Sequence, residues 1–433
     1  MHGGEKDCDL GDKKPKFKKP VTWGIVLLIM VLSMSFVACG IEKKVNSNSE
    51  NSSSNVEANN DELKSVLGRE VSNEELDMFR KLLLVKDTIT EKYYGEIDEN
   101  VLLEGAVKGM ASSLGDPYTS YLNEKEWERL NQQTEGTYVG IGVQVGVMEG
   151  KVVIVTAFDK SPADRAGILS GDVIVKVNGE EIGSDIDKAV GMMKGTKGKE
   201  IKLTIDRKNK GALDVDLVAE EIELVTVESE MIDSEGGYIR ITNFDEHTGK
   251  NFTDKLNQLK KDGAKGLILD LRDNPGGLVN TCVEVASNFI EKGESVVYTV
   301  DKAGNKEIRN SEGGNSYDMP VVILTNNYTA SASEIVTGAL KDYGKATIVG
   351  EKTFGKGIVQ QVFYHEKQGF GDGTALKVTV SSYYTPKGTD IHKKGIEPDI
   401  EVKYPEELLE KPYDRETDPQ FKEALKVIKD KVK

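Results

Sequence analysis

The chain has 433 residues, enough for about three domains of ~150 residues each, and a formal net charge of −16. Beyond the first twenty residues no basic stripe interrupts the acidic background, which argues against the phosphate-binding surface of a nucleic-acid-binding protein. The three cysteines, Cys8, Cys39 and Cys282, are too few and too scattered for a disulfide framework or a four-ligand zinc site, and no metal is predicted.

The N-terminus has the pattern of a targeting element. A basic segment, residues 1–20, precedes a largely apolar run from Val21 to Cys39, close to the ~20 residues that span a bilayer as a helix. The run ends in a sequence similar to a bacterial lipoprotein processing site, with Cys39 as the lipidated residue and Phe36 where leucine is usual. A lipoprotein, an uncleaved single-span anchor and a cleaved secretory signal all fit this sequence. The first two predict a protein on the extracytoplasmic face of the cell membrane, tethered by a flexible linker at residues 40–60.

Residues 61–133 predict an N-terminal helical region. Apolar residues such as Leu76, Phe79, Leu82 and Leu83 recur at three-to-four spacing, which is typical of amphipathic helices. Two or three helices account for the pattern. The sequence Gly115-Asp116-Pro117-Tyr118-Thr119 then interrupts it as a turn.

Residues 134–222 change to short strands separated by glycine-rich turns. Three segments, GIGV at 140–143, SPADRAGI at 161–168 and GDVIVKVNG at 171–179, resemble a bacterial protease PDZ domain. The resemblance implies that backbone amides of Gly140, Ile141 and Gly142 cradle the carboxylate of a peptide that adds a strand to the sheet. Arg165 is a candidate for reading a partner's charge, or is simply a solvated arginine. In the alternative interpretation, the glycines only make tight turns in a small β-domain.

Residues 223–404 have an α/β pattern. Strand-like runs at 237–241, 266–271 and 321–324 alternate with predicted helices, which is typical of a mainly parallel sheet. The turn at 272–277 and the turn before Ser331 each follow one of these strands. We expect both turns at the carboxyl ends of adjacent strands, where open α/β sheets place their sites.

Ser331 begins a predicted helix and has two interpretations. Ser331-Ala332-Ser333-Glu334 is a capping box, and capping alone accounts for the serine. A serine at a helix N-terminus after a strand also lies near free backbone amides and the positive end of the helix dipole. The Ala332 amide is then a candidate oxyanion donor, and the amides of Gly276 and Gly277 are candidates for the second donor.

Lys356 lies in a sequence that fits the first seven positions of a P-loop, beginning at Gly350. The match fails at Gly357, where a P-loop needs Ser or Thr, and the next run is strand-like rather than helical. Because residues four apart share a face of a strand, Gln360 is predicted to lie beside Lys356 and orient its amine. A lysine acts as a base only if burial lowers its pKa well below ~10.4; an exposed hairpin lysine is the alternative.

These motifs together resemble the carboxyl-terminal processing peptidases, also called tail-specific proteases. The resemblance spans roughly residues 61–404 and rests on SASEI at 331–335, TFGKG at 353–357 with Gln360, LDLRDNPGG at 269–277, GIEPD at 395–399 and DPY at 116–118. It implies a crotonase-like core in which Ser331 is the nucleophile, Lys356 the general base and Gln360 the residue that orients the lysine. It also implies no cofactor, a PDZ domain that captures the carboxyl end of a polypeptide substrate, and a homodimer built by terminal helices. The C-terminal helical tail, residues 405–433, is a candidate for that interface or a solvated helix.

The predicted fold is therefore α+β and multidomain, with a helical segment, a PDZ β-domain and an α/β serine protease core. The predicted function is a serine endopeptidase that cleaves proteins near their carboxyl ends. One alternative is a PDZ-based scaffold protein with an inactive protease fold, and another is a hydrolase with His365 or His392 as its base. The intact set of Ser331, Lys356 and Gln360 favours the enzyme, since a decayed site is expected to lose at least one of them.

Overall fold

The computed structural model describes residues 68–409 and 411–433, which belong to two compact units, Met1–Tyr93 and Tyr94–Lys433. The predicted basic segment, apolar run and linker, with Cys39, lie outside the described residues. Of the helices that the structure does describe, none is long and apolar enough to cross a membrane. In the first unit, helix α1 (Asn73–Lys92) begins at a capping box, in which the Ser72 hydroxyl accepts from the Glu75 N–H at 3.2 Å.

The second unit contains the remaining described elements. Its helices are α2 (Glu99–Ser112), α3 (Glu124–Glu135), α4 (Pro162–Arg165), α5 (Ile186–Met193), α6 (Thr248–Lys261), α7 (Val279–Ser287), α8 (Ala332–Asp342), α9 (Glu406–Leu409) and α10 (Pro419–Val432), with a 3-10 turn at Glu366–Gln368. Its strands are β1 (Ser120–Leu122), β2 (Thr137–Gly140), β3 (Val143–Met148), β4 (Lys151–Ala157), β5 (Val173–Val177), β6 (Glu180–Glu181), β7 (Glu200–Arg207), β8 (Gly211–Val218), β9 (Glu220–Glu223), β10 (Val227–Met231), β11 (Gly236–Ile241), β12 (Gly266–Asp270), β13 (Ser295–Asp301), β14 (Lys306–Asn310), β15 (Val321–Thr325), β16 (Ala346–Gly350), β17 (Ile358–Phe363), β18 (Ala375–Tyr384) and β19 (Ile400–Glu401).

The predicted PDZ region is an antiparallel sheet of strands β3, β4, β5, β7 and β8, with β6 paired to β5. Strand β7 alternates buried Ile201, Leu203 and Ile205 with more exposed residues, because successive side chains of a strand face opposite sides. Helix α5 packs against this core through Ala189 and Met193. The paired strands β2 and β9 enter and leave the module, so the predicted carboxylate loop leads directly from β2 into β3.

The region at residues 223–404 is built on a six-stranded sheet in the order β10-β11-β12-β15-β16-β19. Every neighbouring pair is parallel except β10 with β11. Strands β12 and β15 are buried along their whole length, as expected for parallel strands covered on both faces. Helices α6, α7 and α8 cover one face, and α10 covers the other. The carboxyl ends of β12, β15 and β16 therefore lie side by side and carry the loops of the candidate site.

A second sheet is organised around the long strand β18. Strand β17, which follows Lys356, pairs along one edge of β18. Strands β1 and β13 pair along the other edge. The sheet thereby brings β1, from the predicted N-terminal helical region, close to the segment that carries Lys356.

The C-terminal helix α10 is a packed part of the core. Phe421 and Ile428 are buried against the second face of the six-stranded sheet. Asp418 caps the helix and also accepts a hydrogen bond at 2.7 Å from Arg272. Arg272 is the first residue of the turn at residues 272–277, the glycine turn. A solvated helix is therefore the wrong interpretation of this segment, because its apolar side covers sheet residues of its own chain.

Candidate active site

Ser331 lies immediately before helix α8 in a strained backbone conformation. Its φ of 54° and ψ of −116° fall outside the regions that residues with a side chain adopt freely. Strain of this kind costs about 1–3 kcal/mol and clusters at functional sites. The Ser331 carbonyl is held by hydrogen bonds from the Ile335 N–H at 3.0 Å and the buried Tyr383 hydroxyl at 2.9 Å. The surrounding core therefore enforces the conformation that aims this side chain.

The second serine of the motif has a different role. Ser333 is fully buried, and its hydroxyl donates to the Asn274 carbonyl at 3.1 Å. The Ala330 N–H donates to the same carbonyl at 3.0 Å. These bonds fasten the loop before α8 to the glycine turn, whereas Ser331 is partly exposed and is the candidate nucleophile.

The glycine turn lies directly against Ser331. A Cβ atom at Gly276 would lie 2.8 Å from both the Ala332 nitrogen and the Ser331 Cβ, and Gly276 has a φ of 105°. Only glycine permits this close approach. A Cβ atom at Gly277 would lie 2.1 Å from the Phe244 carbonyl oxygen, so this position also requires glycine.

The amides of this turn are not equivalent. The Gly276 N–H donates to Asn274 Oδ1 at 2.9 Å. Within the described chain, the N–H groups of Gly277 and Ala332 make no hydrogen bond. The Gly277 and Ala332 amides are therefore the better candidates for binding an oxyanion.

Glu334 joins the serine and lysine segments. Its carboxylate is buried, and one oxygen, Oε2, accepts from the Ser331 N–H at 2.9 Å and from the Lys356 N–H at 2.8 Å. The other oxygen, Oε1, accepts from the Gly355 N–H at 2.7 Å and the Thr353 hydroxyl at 2.5 Å. Burial raises the pKa of Glu334, and the four donated bonds oppose that rise. The sequence presented Glu334 only as part of a capping box and gave no sign of its bonds to residues 353–356.

Lys356 has the electrostatic setting of a candidate base. Burial lowers the pKa of its amine, the positive charge of Lys377 lowers it further, and Asp116 and Glu334 oppose the shift. The amine nitrogen Nζ lies 4.7 Å from the centre of the Tyr118 ring. In residues 68–409 and 411–433, Nζ makes no hydrogen bond to Ser331. The net direction of the pKa shift is the one that a lysine base requires.

Gln360 lies within strand β17, whereas Lys356 precedes that strand. Strand β17 begins at Ile358, after Lys356, and its register against β18 shifts between Val359 and Gln360. The extra residue at that shift is Val380 of β18, so β17 itself alternates regularly. Lys356 precedes β17, so the strand alternation does not extend to it. Gln360 Nε2 lies 3.5 Å from Thr379 Oγ1. An orienting role for Gln360 stays a prediction.

An apolar groove of about 350 Å³ lies beside the predicted carboxylate loop of the PDZ region. It runs between β3 and α5, the position in which a PDZ domain takes up a peptide strand. Arg165 is not among its lining residues; its guanidinium pairs with Glu220, so a role toward a partner stays a prediction. Gly140 ends β2 outside the lining. The lining includes Ile141, Gly142, Val143, Val190 and Met193, together with Arg129 of α3.

Of the two histidines considered as bases, one lies beside the residue that follows Lys356 and the other packs on a tyrosine. His392 packs on Gly357, where an added Cβ atom would lie 2.6 Å from the backbone nitrogen of His392. His392 Nδ1 is buried without a hydrogen-bond partner among the described residues. His365 packs against Tyr364 with ring centres 3.9 Å apart. The part of the chain that the structure covers has no hydrogen bond from either histidine to Ser331, and no group of His, Cys, Asp and Glu that could hold a metal ion.

Three family models match successive parts of the chain. Residues 30–126 match the N-terminal domain of the activating protease CtpB, residues 154–207 a PDZ domain and residues 235–402 peptidase family S41. The chain is 38% identical over 343 residues to the carboxy-terminal processing protease CtpA of Bacillus subtilis, covering 79% of this chain and 72% of the relative. The chain belongs to the carboxy-terminal processing proteases of peptidase family S41.

Further comparisons agree with this assignment. Carboxy-terminal processing protease CtpB of Bacillus subtilis is 37% identical over 346 residues, covering 79% of this chain and 70% of the relative. A solved S41 protease structure from Bacteroides fragilis has a TM-score of 0.50 and 18% identity, covering 78% of this chain and 91% of its own, and shows a similar fold. The predicted mixed α/β fold with a PDZ domain and a serine protease core is confirmed.

Proposed function

We propose that this S41 protease is a serine endopeptidase in which Ser331 is the nucleophile and Lys356 the general base. The observation that carries the proposal is that a single buried oxygen, Glu334 Oε2, binds the backbone N–H groups of both residues. The same buried oxygen therefore fixes the backbone positions from which the two side chains extend. Their strained and desolvated settings are those that a nucleophile and its base need.

The reaction follows from these assignments. Ser331 Oγ attacks the peptide carbonyl carbon, and its proton passes to Lys356 Nζ. The lysine then gives that proton to the leaving amine as the peptide C–N bond breaks, which leaves an acyl-enzyme that water hydrolyses. The Ala332 amide, with that of Gly277 or Gly276, stabilises the negative oxygen, and each such donor typically contributes about 10²–10³ in rate. Gln360, which lies four residues after Lys356, would orient the lysine.

The PDZ groove would bind the free carboxyl end of the substrate. The loop at residues 140–142 borders the groove, and backbone amides bind carboxylates through charge-assisted hydrogen bonds. We therefore expect a peptide amidated at its carboxyl end to be cleaved about tenfold more slowly than the free acid, judged by kcat/KM. Equal rates for the two peptides would remove the carboxylate-binding role.

We also propose that the protein is held at the extracytoplasmic face of the membrane by its N-terminal segment, as a lipoprotein or a single-span anchor. The basic and apolar sequence of residues 1–39 supports this location. A homodimer is supported by helix α1, which exposes apolar residues including Met78, Phe79, Leu83 and Leu84.

The test of the proposed function is a cleavage assay on unfolded proteins that carry a C-terminal tail, with wild type and Ser331→Ala in parallel. Intact masses of the products would show whether the cuts fall near the carboxyl end. The proposal predicts shortened products with wild type alone. Binding of the tail without any cleavage by wild type would instead identify a scaffold with an inactive protease fold.

A further inference from the structure

The turn Asp116-Pro117-Tyr118-Thr119 lies at the candidate base, although it is far from Lys356 in sequence. The Tyr118 ring centre is 4.7 Å from Lys356 Nζ. The turn leads into β1, which lies on one edge of β18, while the segment carrying Lys356 leads into β17 on the other edge. Two distant segments therefore meet at the amine.

Hydrogen bonds hold this turn in place. The Asp116 carboxylate accepts from the Tyr118 N–H at 3.0 Å and from the Thr119 hydroxyl at 2.7 Å. The Thr119 hydroxyl oxygen in turn accepts from the Thr379 N–H of β18 at 3.1 Å, and Thr119 is buried. Thr379 is also the residue that Gln360 approaches. The backbone that carries the Tyr118 ring is therefore fixed to β18, the strand that also pairs with β17 after Lys356.

The charged groups around the Lys356 amine act on its protonation in opposite directions. Lys377 repels the ammonium form of Lys356, whereas Asp116 and Glu334 attract it. Desolvation is the largest influence on the amine, and it favours the neutral form. A ring face attracts a cation weakly at a partly exposed site, but it also excludes water from one side of the amine. Because desolvation has the largest influence on this amine, a ring that excludes water acts in the direction of the neutral form.

We propose that Tyr118 is a positioning residue for the reaction, whose ring covers the Lys356 amine, shields it from water and holds it in the site. This rests on the proposed function of Lys356 as the general base. The hydroxyl is not needed for this role, since the flat face of the ring makes the contact. Tyr118 acts on the proposed reaction through Lys356.

The test is the dependence of kcat/KM on pH in the full chain, whose acidic limb reports the free enzyme's base. In Tyr118→Ala, water reaches the amine and the pKa of Lys356 moves back toward its ordinary value. The acidic limb should then move to higher pH by roughly one pH unit, and activity at pH 7 should fall about tenfold. Tyr118→Phe keeps the ring and should keep the wild-type limb. Tyr118→Asn provides a second ring-free variant in case the alanine protein does not fold.

Tyr121→Ala is the matched control, because it removes a ring from the same segment, within β1. It should lower the melting temperature without moving the acidic limb. An unmoved limb in folded Tyr118→Ala or Tyr118→Asn would overturn the proposal, as would an equal movement in Tyr118→Phe. Lys356→Ala, assayed in parallel, distinguishes failure of the base assignment from failure of the Tyr118 role. Full activity in Lys356→Ala would overturn the base assignment itself. An inactive Lys356→Ala, together with an unmoved acidic limb in the ring-free Tyr118 variants, would overturn only the role of Tyr118.

Discussion

Replacing Ser331 with alanine is expected to lower kcat for peptide cleavage by at least about 10³-fold while leaving the protein folded. The reaction loses its nucleophile, but the backbone N–H and carbonyl of residue 331 still bond to Glu334, Ile335 and Tyr383. Initial rates and thermal unfolding of the same preparations check both halves of the prediction. A serine that served only as a helix cap would give the opposite result, with full activity and a loss of about 1 kcal/mol in stability.

A double change, His365→Gln with His392→Gln, is the companion to this experiment. It should leave cleavage largely intact, since neither histidine is hydrogen-bonded to Ser331 in the described residues. Loss of cleavage as complete as in Ser331→Ala would favour the alternative in which a histidine is the base.

Replacing Glu334 with glutamine is expected to cost about 10²-fold in kcat and several kcal/mol in the free energy of unfolding. Both carboxylate oxygens accept from two donors each, and glutamine offers only one oxygen. Its NH₂ group must face two N–H or O–H donors, and each unpaired buried group costs about 1–3 kcal/mol. The loop carrying Lys356 would then shift relative to Ser331, and a misplacement of about 1 Å costs on the order of 10²-fold in rate.

The measurement is kcat and KM for a short peptide at a temperature where the variant is folded. Asp172→Asn is the matched control, because Asp172 is also a buried carboxylate, bonded to Arg207 and the Leu169 N–H. This variant should lose stability in the PDZ region but keep kcat within a few-fold. A wild-type kcat in Glu334→Gln would show that the shared carboxylate does not position the two residues.

Much of the fold was predictable because local sequence decides it. The buried runs of β12 and β15 and the helix after Ser331 have strong apolar patterns bounded by turn residues. Strands β13, β14 and β18 were not predicted, because their sequence patterns are mixed and the pairing of β13 with β18 joins segments distant in sequence. The tail α10 was placed only by the structure, since its apolar stripe does not specify which surface it covers.

Part of the candidate site was likewise predictable from the sequence, and part was not. Ser331, Lys356 and the glycine turn were identified from motifs whose chemistry is readable in a single sequence. The bridging bonds of Glu334 and the ring of Tyr118 depend on the meeting of three segments, residues 116–119, 331–334 and 353–356, which no local pattern specifies. The position of Gln360 beside Lys356 stays a prediction, because Lys356 precedes β17 and the two-residue alternation of the strand does not reach it.

The most direct test of the Ser331 and Lys356 assignment is cleavage of a tailed, unfolded protein by Lys356→Ala, with wild type alongside and products measured by intact mass. Burial and Lys377 lower the pKa of the Lys356 amine, which is the direction required of the group proposed to accept the serine proton. Alanine removes that acceptor, so no shortened product should form in the time that wild type needs for complete cleavage. Full activity in folded Lys356→Ala would contradict the assignment.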